Sequence, residues 1–347
     1  GAMKAIHEFL EANNALSSVR MIAGTSIGSW NSMFWLGGLI KPPGPHEQSA
    51  HERWWRSISV AGVMEFAQYV PLKNNYFLNS TPWREAFDRI FRQEASVNEA
   101  LNPLFAADPN AAPMRFYFTR SNVELGQLEF GTNNVDLPNR TRRKWRSGLD
   151  EPLIPFDQYE VIGGDSRKAL DRMELAVYAS MDLPPLLPYM GIRTARNELF
   201  EDGGVVDNLP MRFGTEIEEC NLLFVLPLNA SFAAKASETS MSKRLFRVMD
   251  IRQGVLERNS IKMARLYNDK VRLQNEIHAL KNTGPPKAPL CVFAICPLAP
   301  LSIGTAEFWK PGEAGDAFDL MYSATRTALT DRFLTLTDPD QLMMTLV

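Results

Sequence analysis

The seven residues "IAGTSIG" at 22–28 constrain this chain more than any other stretch, because they place Ser26 between Gly24 and Gly28. A short apolar run, "VRMIA", comes immediately before Gly24, and residues 29–39 are apolar or aromatic on nearly every side, as in a buried helix. Glycine weakens both strands and helices. Two glycines where a strand meets a helix therefore suggest that the backbone there adopts a conformation or a close contact that other residues would not allow. A strand, a G-x-S-x-G pentapeptide and a helix in this order predict a nucleophile elbow, a sharp turn that exposes the serine hydroxyl.

The elbow interpretation assigns a role to each residue of the pentapeptide. Ser26 is the candidate nucleophile, and Gly24 and Gly28 are expected to make room for the turn. The backbone N–H of Ile27 is expected to face an oxyanion that develops beside the serine, with help from the dipole of the following helix. The alternative interpretation is a glycine-rich turn between a strand and a helix in which Ser26 is a bystander.

A nucleophilic serine needs a base, and the chain has four histidines, His7, His46, His51 and His278. The α/β-hydrolase order of serine, acid and histidine leaves only His278 in a suitable place. This residue lies in "LQNEIHALKN", well inside a helical pattern, whereas the histidine of a catalytic triad usually projects from a loop. His278 is therefore the weaker of two candidate bases.

Asp202, in "FEDGGVVDNLP", is the stronger candidate. It ends a predicted strand, and Gly203 and Gly204 follow it, so the carboxylate is held rigidly with backbone N–H groups nearby. The alternative interpretation of this segment is an ordinary Asp-Gly β-turn.

The rest of the chain alternates helical and strand patterns. Helices are predicted over 4–16, 81–94, 167–180, 241–281 and 313–333, and strands over 19–23, 114–121, 126–132, 197–204, 221–228 and 289–298. The strands at 114–121 and 126–132 are expected to pair. This alternation predicts an α/β protein with a mostly parallel, covered sheet. The length of 347 residues fits one large domain or two medium domains, and we expect a single domain over residues 1–347.

Composition excludes several classes of function. The net charge of −3 provides no electrostatic argument for nucleic-acid binding. The three cysteines form no C-x-x-C pair, which favours a reducing compartment and predicts a cytoplasmic protein. No uninterrupted apolar run reaches the length of about 18 residues that spans a bilayer. No cluster of His, Cys, Asp or Glu has metal-ligand spacing, and no phosphate-binding loop is present, so we expect neither a metal nor a cofactor.

Two further features have open interpretations. The basic run from Arg140 to Arg146 contains Trp145 and predicts either a peripheral contact with anionic headgroups or a solvated loop. Trp30 and Phe34 are expected in the core, whereas Trp54 and Trp55 are adjacent in a helix, so one of them is expected to be exposed.

Three segments resemble the patatin-like phospholipase family. They are G-T-S-I-G-S at 24–29, D-G-G-x-x-x-N-x-P at 202–210, and "YASMDLPPLLP" at 178–188, which is similar to that family's A-S-x-x-x-P segment. The stretch from Pro300 to Leu329 is similar to the family's C-terminal part in a looser way.

The resemblance implies a three-layer α/β/α fold with a mostly parallel central sheet and a Ser–Asp dyad without histidine. Ser26 would be the nucleophile, Asp202 the base, and Gly203 and Gly204 the turn that holds the base. The substrates would be acyl esters of phospholipids or related lipids, cleaved through an acyl-enzyme without a cofactor. Two alternatives stay open, namely a catalytically impaired lipid-binding or regulatory protein on the same fold and an α/β-hydrolase esterase that uses His278.

The family also places a strand and a glycine-rich loop, G-G-G-x-[KR]-G, before its first helix, and this loop supplies N–H donors to the oxyanion hole. The present sequence opens at "GAMKAIHEFLEA", which is similar to the family's segment immediately after that loop. A tetrahedral oxyanion needs a second donor besides the Ile27 N–H. We therefore expect Gly1, or residues before it, to complete the oxyanion hole.

Overall fold

The structure is a computed structural model of the chain. It describes residues 1–58, 65–66, 78–79, 81–106, 112–137, 159–183, 190–191, 198–227, 241–281, 286–297, 312–331 and 343–346. The basic run at 140–146, the prolines that end the 178–188 segment and most of the 300–312 stretch lie outside the described residues. The chain divides into two compact units, a central unit (Ala15–Pro210) and a terminal unit (Gly1–Asn14 with Met211–Val347).

Helices and strands alternate along the described chain. The helices are α1 (Ala2–Ala12), α2 (Ile27–Leu36), α3 (Ala50–Ser57), α4 (Thr81–Phe87), α5 (Ala95–Leu101), α6 (Ser166–Ser180), α7 (Met241–Lys281) and α8 (Glu313–Asp331). The strands are β1 (Met21–Thr25), β2 (Glu65–Phe66), β3 (Leu78–Asn79), β4 (Arg115–Asn122), β5 (Gln127–Thr132), β6 (Tyr159–Val161), β7 (Met190–Gly191), β8 (Leu199–Asp202), β9 (Leu222–Val225), β10 (Cys291–Cys296) and β11 (Met343–Leu346).

The sheet of the central unit is organised around β4. Its strand order is β6-β5-β4-β8-β7, and β1 also pairs with β4. On one edge β4 pairs antiparallel with β5, which confirms the predicted hairpin. On the other edge β1 runs parallel to Arg115–Thr119, and β8 runs antiparallel to Arg120–Asn122. Because β1 and β8 approach along the same edge from opposite directions, their carboxyl ends meet.

The terminal unit contains a fully parallel sheet in the order β11-β10-β9. This pairing confirms the strands predicted within 221–228 and 289–298. Strand β10 is buried over residues 292–296, as predicted, whereas residues 222–224 of β9 are only half-buried. The long helix α7 is joined to the segment before β10, because the Asn268 side chain accepts from the Leu290 N–H at 2.8 Å and donates to its C=O at 2.7 Å. Helix α1 contacts α8, where the Tyr322 hydroxyl donates to the Glu8 carboxylate at 2.6 Å.

Aromatic side chains cover α2 on several sides. Trp30 and Phe34 are fully buried, as predicted. The Trp30 ring lies 5.1 Å from that of Trp83 and 5.3 Å from that of Trp54, both measured between centroids. Trp54 is buried, whereas Trp55 is half-buried and donates its indole N–H to a side chain of α2. Edge-to-face and tilted contacts of this kind add about 0.5–1.5 kcal/mol per pair beyond the burial of area.

The α/β class that the alternating pattern predicts is confirmed. Parallel pairing joins β1 to β4, β5 to β6, and the three strands of the terminal sheet. Within the described residues, no helix combines the length and the apolar composition needed to cross a membrane. The assignment of residues 1–347 to a single domain stays a prediction.

Candidate active site

The meeting of β1 and β8 brings the two predicted catalytic residues together. Thr25, the last residue of β1, pairs with Thr119 of β4, and Asp202, the last residue of β8, pairs with the next residue, Arg120. Ser26 follows Thr25 directly. Its Oγ donates a hydrogen bond to Asp202 Oδ2 at 2.5 Å, across 176 positions of sequence.

The backbone at Ser26 has the geometry of an elbow. Its φ of 55° and ψ of −130° lie in a region that residues with a side chain rarely adopt. A Cβ on Gly24 would lie 2.5 Å from the Ser29 nitrogen and 2.6 Å from the carbonyl of Gly28, so only glycine fits there. A Cβ on Gly28 would meet no atom within 4 Å. The steric reason that the sequence interpretation applied to both glycines therefore holds for Gly24 alone.

Two buried hydroxyl groups hold this backbone in place. The Ser26 N–H donates to Ser180 Oγ at 2.9 Å, Ser180 Oγ lies 2.8 Å from Ser29 Oγ, and Ser29 Oγ donates to the Gly24 carbonyl at 2.9 Å. Because the single hydroxyl proton of Ser29 goes to Gly24, the Ser180 hydroxyl must donate to Ser29. Ser29 and Ser180 are both fully buried. We refer to this pair as the serine clasp.

Sequence reasoning missed the serine clasp. The available signal was the position of Ser180 in the "YASMDLPPLLP" segment, which was used only as a point of resemblance. In the structure Ser180 is the last residue of α6, and its hydroxyl accepts the N–H of Ser26 at the elbow.

Asp202 is held by backbone groups on each side. Its Oδ1 accepts the N–H of Gly204 at 2.7 Å. Its own N–H donates to the Asp182 carbonyl at 3.0 Å, and its carbonyl accepts from Ser121 Oγ at 2.9 Å. These bonds leave Oδ2 directed to Ser26, so the carboxylate has one oxygen anchored and one available for the hydroxyl proton.

Two threonine side chains lie close to Ser26 and Asp202, where β1 and β8 end. Thr25 Oγ1 lies 2.6 Å from Thr119 Oγ1 and donates to the Asp207 carbonyl at 3.2 Å. A Cβ on Gly203 would lie 2.4 Å from Thr119 Oγ1, so the turn after Asp202 can approach β4 only with glycine at that position. The threonines thereby connect β1, β4 and the turn that carries the candidate base.

Burial sets the basicity of Asp202. The side chain is 1% exposed, and desolvation raises its pKa from 3.8 to about 6, against the lowering effect of the hydrogen bonds from Ser26 and Gly204. The charge of Glu201 adds a smaller upward contribution. A carboxyl group with this pKa is mostly ionised at pH 7, yet holds a proton far better than an ordinary aspartate.

The N-terminus of α2 provides donors for a negative charge. The Ser26 N–H is bonded to Ser180, and the Ser29 N–H is bonded to the Ser26 carbonyl at 2.9 Å. Among the hydrogen bonds of the described residues, none uses the N–H of Ile27 or of Gly28. Both groups belong to the first turn, where N–H groups point out of the helix and the dipole favours an anion.

Two predicted site residues belong to the terminal unit. Gly1 precedes α1, its carbonyl accepts the Ala5 N–H at 3.1 Å, and a Cβ there would lie 1.9 Å from the Phe318 carbonyl oxygen. His278 is exposed on α7. The contribution of Gly1 to an oxyanion hole stays a prediction, and the hydrogen-bond acceptor of Ser26 is Asp202 rather than a histidine.

Comparison with known proteins identifies the family of this chain. A family model described as Patatin-like phospholipase matches residues 1–213, a range that includes Ser26, Ser180 and Asp202. A search of curated proteins found no match. Members of the matched family are typically lipid acyl hydrolases. Since the match spans more than half of the chain, this protein belongs to the patatin-like phospholipase family.

Proposed function

We propose that this protein is a serine acylhydrolase that cleaves acyl esters of phospholipids or related lipids through a Ser26–Asp202 dyad. The observation that carries the proposal is the 2.5 Å hydrogen bond from Ser26 Oγ to Asp202 Oδ2. It supports activation of the hydroxyl because the acceptor is a buried carboxylate whose pKa is raised to about 6, within about one unit of neutral pH. Family membership supports a lipid ester as the substrate.

In the first half of the reaction, Asp202 Oδ2 takes the proton of Ser26 as Oγ attacks the carbonyl carbon of the ester. The carbonyl oxygen becomes an oxyanion at the N-terminus of α2, where the N–H groups of Ile27 and Gly28 are available to donate to it. Collapse of this intermediate breaks the bond to the alcohol. Asp202 returns its proton to the departing oxygen, and the acyl group stays on Ser26 as an ester.

In the second half, a water molecule replaces the alcohol. Asp202 takes one proton from this water, the remaining hydroxide attacks the acyl carbon, and the same donors hold the second oxyanion. Ser26 Oγ leaves and regains the proton from Asp202, and the fatty acid is released. One residue acts as base and then as acid in each half, which suits a carboxyl group whose pKa lies near 6.

The strained backbone of Ser26 supports the same assignment. A residue held at φ 55° persists only where surrounding contacts enforce it, and such residues cluster at functional sites. Here the serine clasp and Gly24 enforce it. The result is a hydroxyl presented at the end of the strand with its proton already directed to the base.

A fluorophosphonate probe tests the proposal, because it reacts only with an activated serine. We expect the wild-type protein to be labelled at Ser26 and to release fatty acid from phosphatidylcholine vesicles. Ser26→Ala is expected to abolish both. Ser32→Ala is the matched control on the same helix, because its hydroxyl bonds back to the Gly28 carbonyl at 2.8 Å, and it should keep both activities.

Two outcomes would replace the proposal with one of its rivals. A folded protein that binds lipid but takes up no probe at Ser26 is a binding protein on the same fold. Loss of labelling in His278→Ala, with retention in Asp202→Asn, identifies an esterase with a histidine base. We expect instead that His278→Ala reacts as the wild type does.

A further inference from the structure

Helix α7 is apolar on two opposite faces. Its inner face carries buried Ile261, Ala264 and Val271, together with Asn268, which bonds to the segment before β10. Its outer face carries exposed apolar side chains, and we call this set the α7 stripe. The stripe consists of Val248, Ile251, Val255, Met263, Leu266, Leu273, Ile277 and Leu280.

The α7 stripe runs along most of the helix and is interrupted by exposed Asn259, Lys262 and Lys270. At about 100° per residue, its members fall within an arc of about 120°, and the buried residues fall on the opposite side. From Val248 to Leu280 the stripe is about 48 Å long. Its exposure is high, with 88% for Leu280 and 61% for Met263.

Such a concentration of exposed apolar surface is unusual. In the part of the chain that the structure describes, the other exposed large apolar side chains are Leu320 and a small group at the β4–β5 turn, Val123, Leu125 and Leu199. Single exposed side chains need no explanation, whereas a contiguous patch marks an interaction surface.

Charge identifies the kind of partner. Exposed basic residues flank or interrupt the stripe, and they are Arg252, Arg258, Lys262, Arg265, Lys270, Arg272 and Lys281. The exposed acidic residues over the same 251–281 range are Asp269 and Glu276, and Asp269 already bonds to Arg272 at 3.2 Å. The outer face of α7 is therefore apolar along its centre and strongly basic along its margins.

We propose that the outer face of α7 binds an anionic lipid surface. A helix with this pattern lies in the plane of the interface, with its apolar stripe among the acyl chains and its cations at the headgroups. Long basic side chains at the margin reach the headgroups while their methylene groups stay in apolar surroundings. The inference goes beyond the proposed reaction at Ser26 and does not depend on it.

A second copy of this chain is the competing occupant of the stripe. Leu266, Leu273 and Leu280 recur every seven residues, as in a coiled coil. Two copies of the same helix, however, bring basic margins against basic margins, since exposed basic residues outnumber exposed acidic ones over 251–281. This repulsion disfavours self-association, whereas the same charges attract anionic headgroups at about 1 kcal/mol per basic residue.

Vesicle sedimentation tests the proposal. Ser26→Ala protein is used beside the wild type, so that hydrolysis does not alter the vesicles. We expect both proteins to bind vesicles of equal parts phosphatidylserine and phosphatidylcholine, and to bind pure phosphatidylcholine about 100-fold more weakly. High salt should weaken the anionic binding.

Two variants separate the apolar and the basic contributions. Leu266→Gln with Leu273→Gln and Ile277→Gln should weaken binding by at least about 100-fold. Lys262→Gln with Arg265→Gln and Lys270→Gln should weaken it by about 100-fold. The positions are exposed, so circular dichroism should show an unchanged fold.

Matched controls remove equivalent side chains elsewhere. The apolar control combines Val123→Ser, Leu125→Gln and Leu320→Gln, and the basic control combines Arg167→Gln, Lys168→Gln and Arg326→Gln. Both should bind as the wild type does. Equal vesicle binding by wild type, α7 variants and controls would overturn the proposal. The proposal would also be overturned if the wild type formed a dimer in analytical ultracentrifugation that bound no vesicles, and if the variant with Leu266→Gln, Leu273→Gln and Ile277→Gln were monomeric.

Failure of this proposal is distinguishable from failure of the proposed reaction. Vesicle binding is measured without turnover, and hydrolysis of a short ester dissolved in water is measured without vesicles. Loss of either result leaves the other intact.

Discussion

Helix α2 is apolar around most of its circumference and α7 is apolar on two opposite faces, but the surroundings of these apolar surfaces differ. In α2, six of the ten residues are buried, and rings from α3, from α4 and from the π-helical segment Asp88–Arg92 that follows α4 pack against Trp30. In α7, one face is buried and the opposite face carries the exposed stripe. An apolar helix surface thus indicates that a partner exists, and only the tertiary structure shows whether this chain supplies it.

The two helices also differ in the part left open. In α2 it is the N-terminus, with Ser26 and the N–H groups of Ile27 and Gly28. In α7 it is a long side surface with basic margins. The difference matches the two proposals, a reaction at the end of α2 and lipid binding along the side of α7, and substitutions in each region test them in order of expected effect.

The largest expected effect comes from Asp202→Asn. Turnover should fall at least about 10³-fold, because the base for Ser26 is lost. The double variant with Ser26→Ala should be no worse than either single variant, because the two residues act as one unit. Steady-state hydrolysis of a p-nitrophenyl ester checks both statements. Retention of most activity by Asp202→Asn would exclude the dyad.

The same substitution should stabilise the protein. Burial raises the folded-state pKa of Asp202 from 3.8 to about 6. The protonated carboxyl group therefore adds to the free energy of unfolding below about pH 4, and this contribution is lost as the pH rises through 6. At pH 7 the ionised buried carboxylate therefore costs up to about 3 kcal/mol, which a neutral asparagine avoids. Denaturant unfolding at pH 7 should give a higher free energy of unfolding for Asp202→Asn.

The next prediction compares alanine substitutions on the buried surface of α2 and on the exposed α7 stripe. Trp30→Ala should lower the free energy of unfolding by about 4 kcal/mol, because it empties the centre of the aromatic cluster. Leu273→Ala on the α7 stripe should change it by less than about 0.5 kcal/mol. Urea unfolding measures both. A large loss for Leu273→Ala would show that the stripe is covered by the protein itself.

The two elbow glycines should respond differently to alanine. Gly24→Ala should cost about 3 kcal/mol in unfolding free energy, because its Cβ would overlap the backbone of Gly28 and Ser29. Gly28→Ala should be neutral or stabilising by up to about 1 kcal/mol, because its Cβ meets no atom and alanine favours a helix. Thermal unfolding distinguishes the two variants. Equal destabilisation would contradict the single steric role assigned to Gly24.

The serine clasp should have a smaller effect. Ser180→Ala leaves the buried Ser26 N–H without its acceptor, and the elbow loses part of what enforces its backbone. We expect kcat to fall about tenfold with KM nearly unchanged, which corresponds to about 1–2 kcal/mol. Ser32→Ala serves again as the control. A rise in KM alone would assign Ser180 to substrate binding rather than to positioning.

The last prediction concerns the pH dependence of the two regions, whose effect near neutral pH is small and grows as the pH falls. Hydrolysis should fall about tenfold for each unit of pH below 6, because Asp202 must be ionised to accept the Ser26 proton. Binding to phosphatidylserine vesicles should not weaken from pH 8 to pH 5, because lysine and arginine side chains in general stay charged over this range. Parallel pH profiles of turnover and binding check this separation. Profiles that fall together would mean that one site governs both.

Short patterns predicted much of this protein because they report local geometry. The strand, pentapeptide and helix at 19–39 predicted the elbow, and the Asp-Gly-Gly sequence predicted the strand end at Asp202. The hairpin of β4 and β5 and the long helix α7 were also predicted from periodicity. In each case the residues that make the pattern are close in sequence, so their backbone conformations are coupled directly.

The tertiary structure alone decided what depends on distant residues. The distance between Ser26 and Asp202 results from the register of β1 and β8 along one edge of β4, which no local pattern encodes. The pKa of Asp202 depends on burial by the whole unit, and the role of Ser180 depends on where α6 ends. The exposure of the α7 stripe has the same origin. The sequence determines which side chains are able to react and which are apolar enough to be buried. Long-range packing determines which of them come into contact and which stay exposed to solvent or to a binding partner.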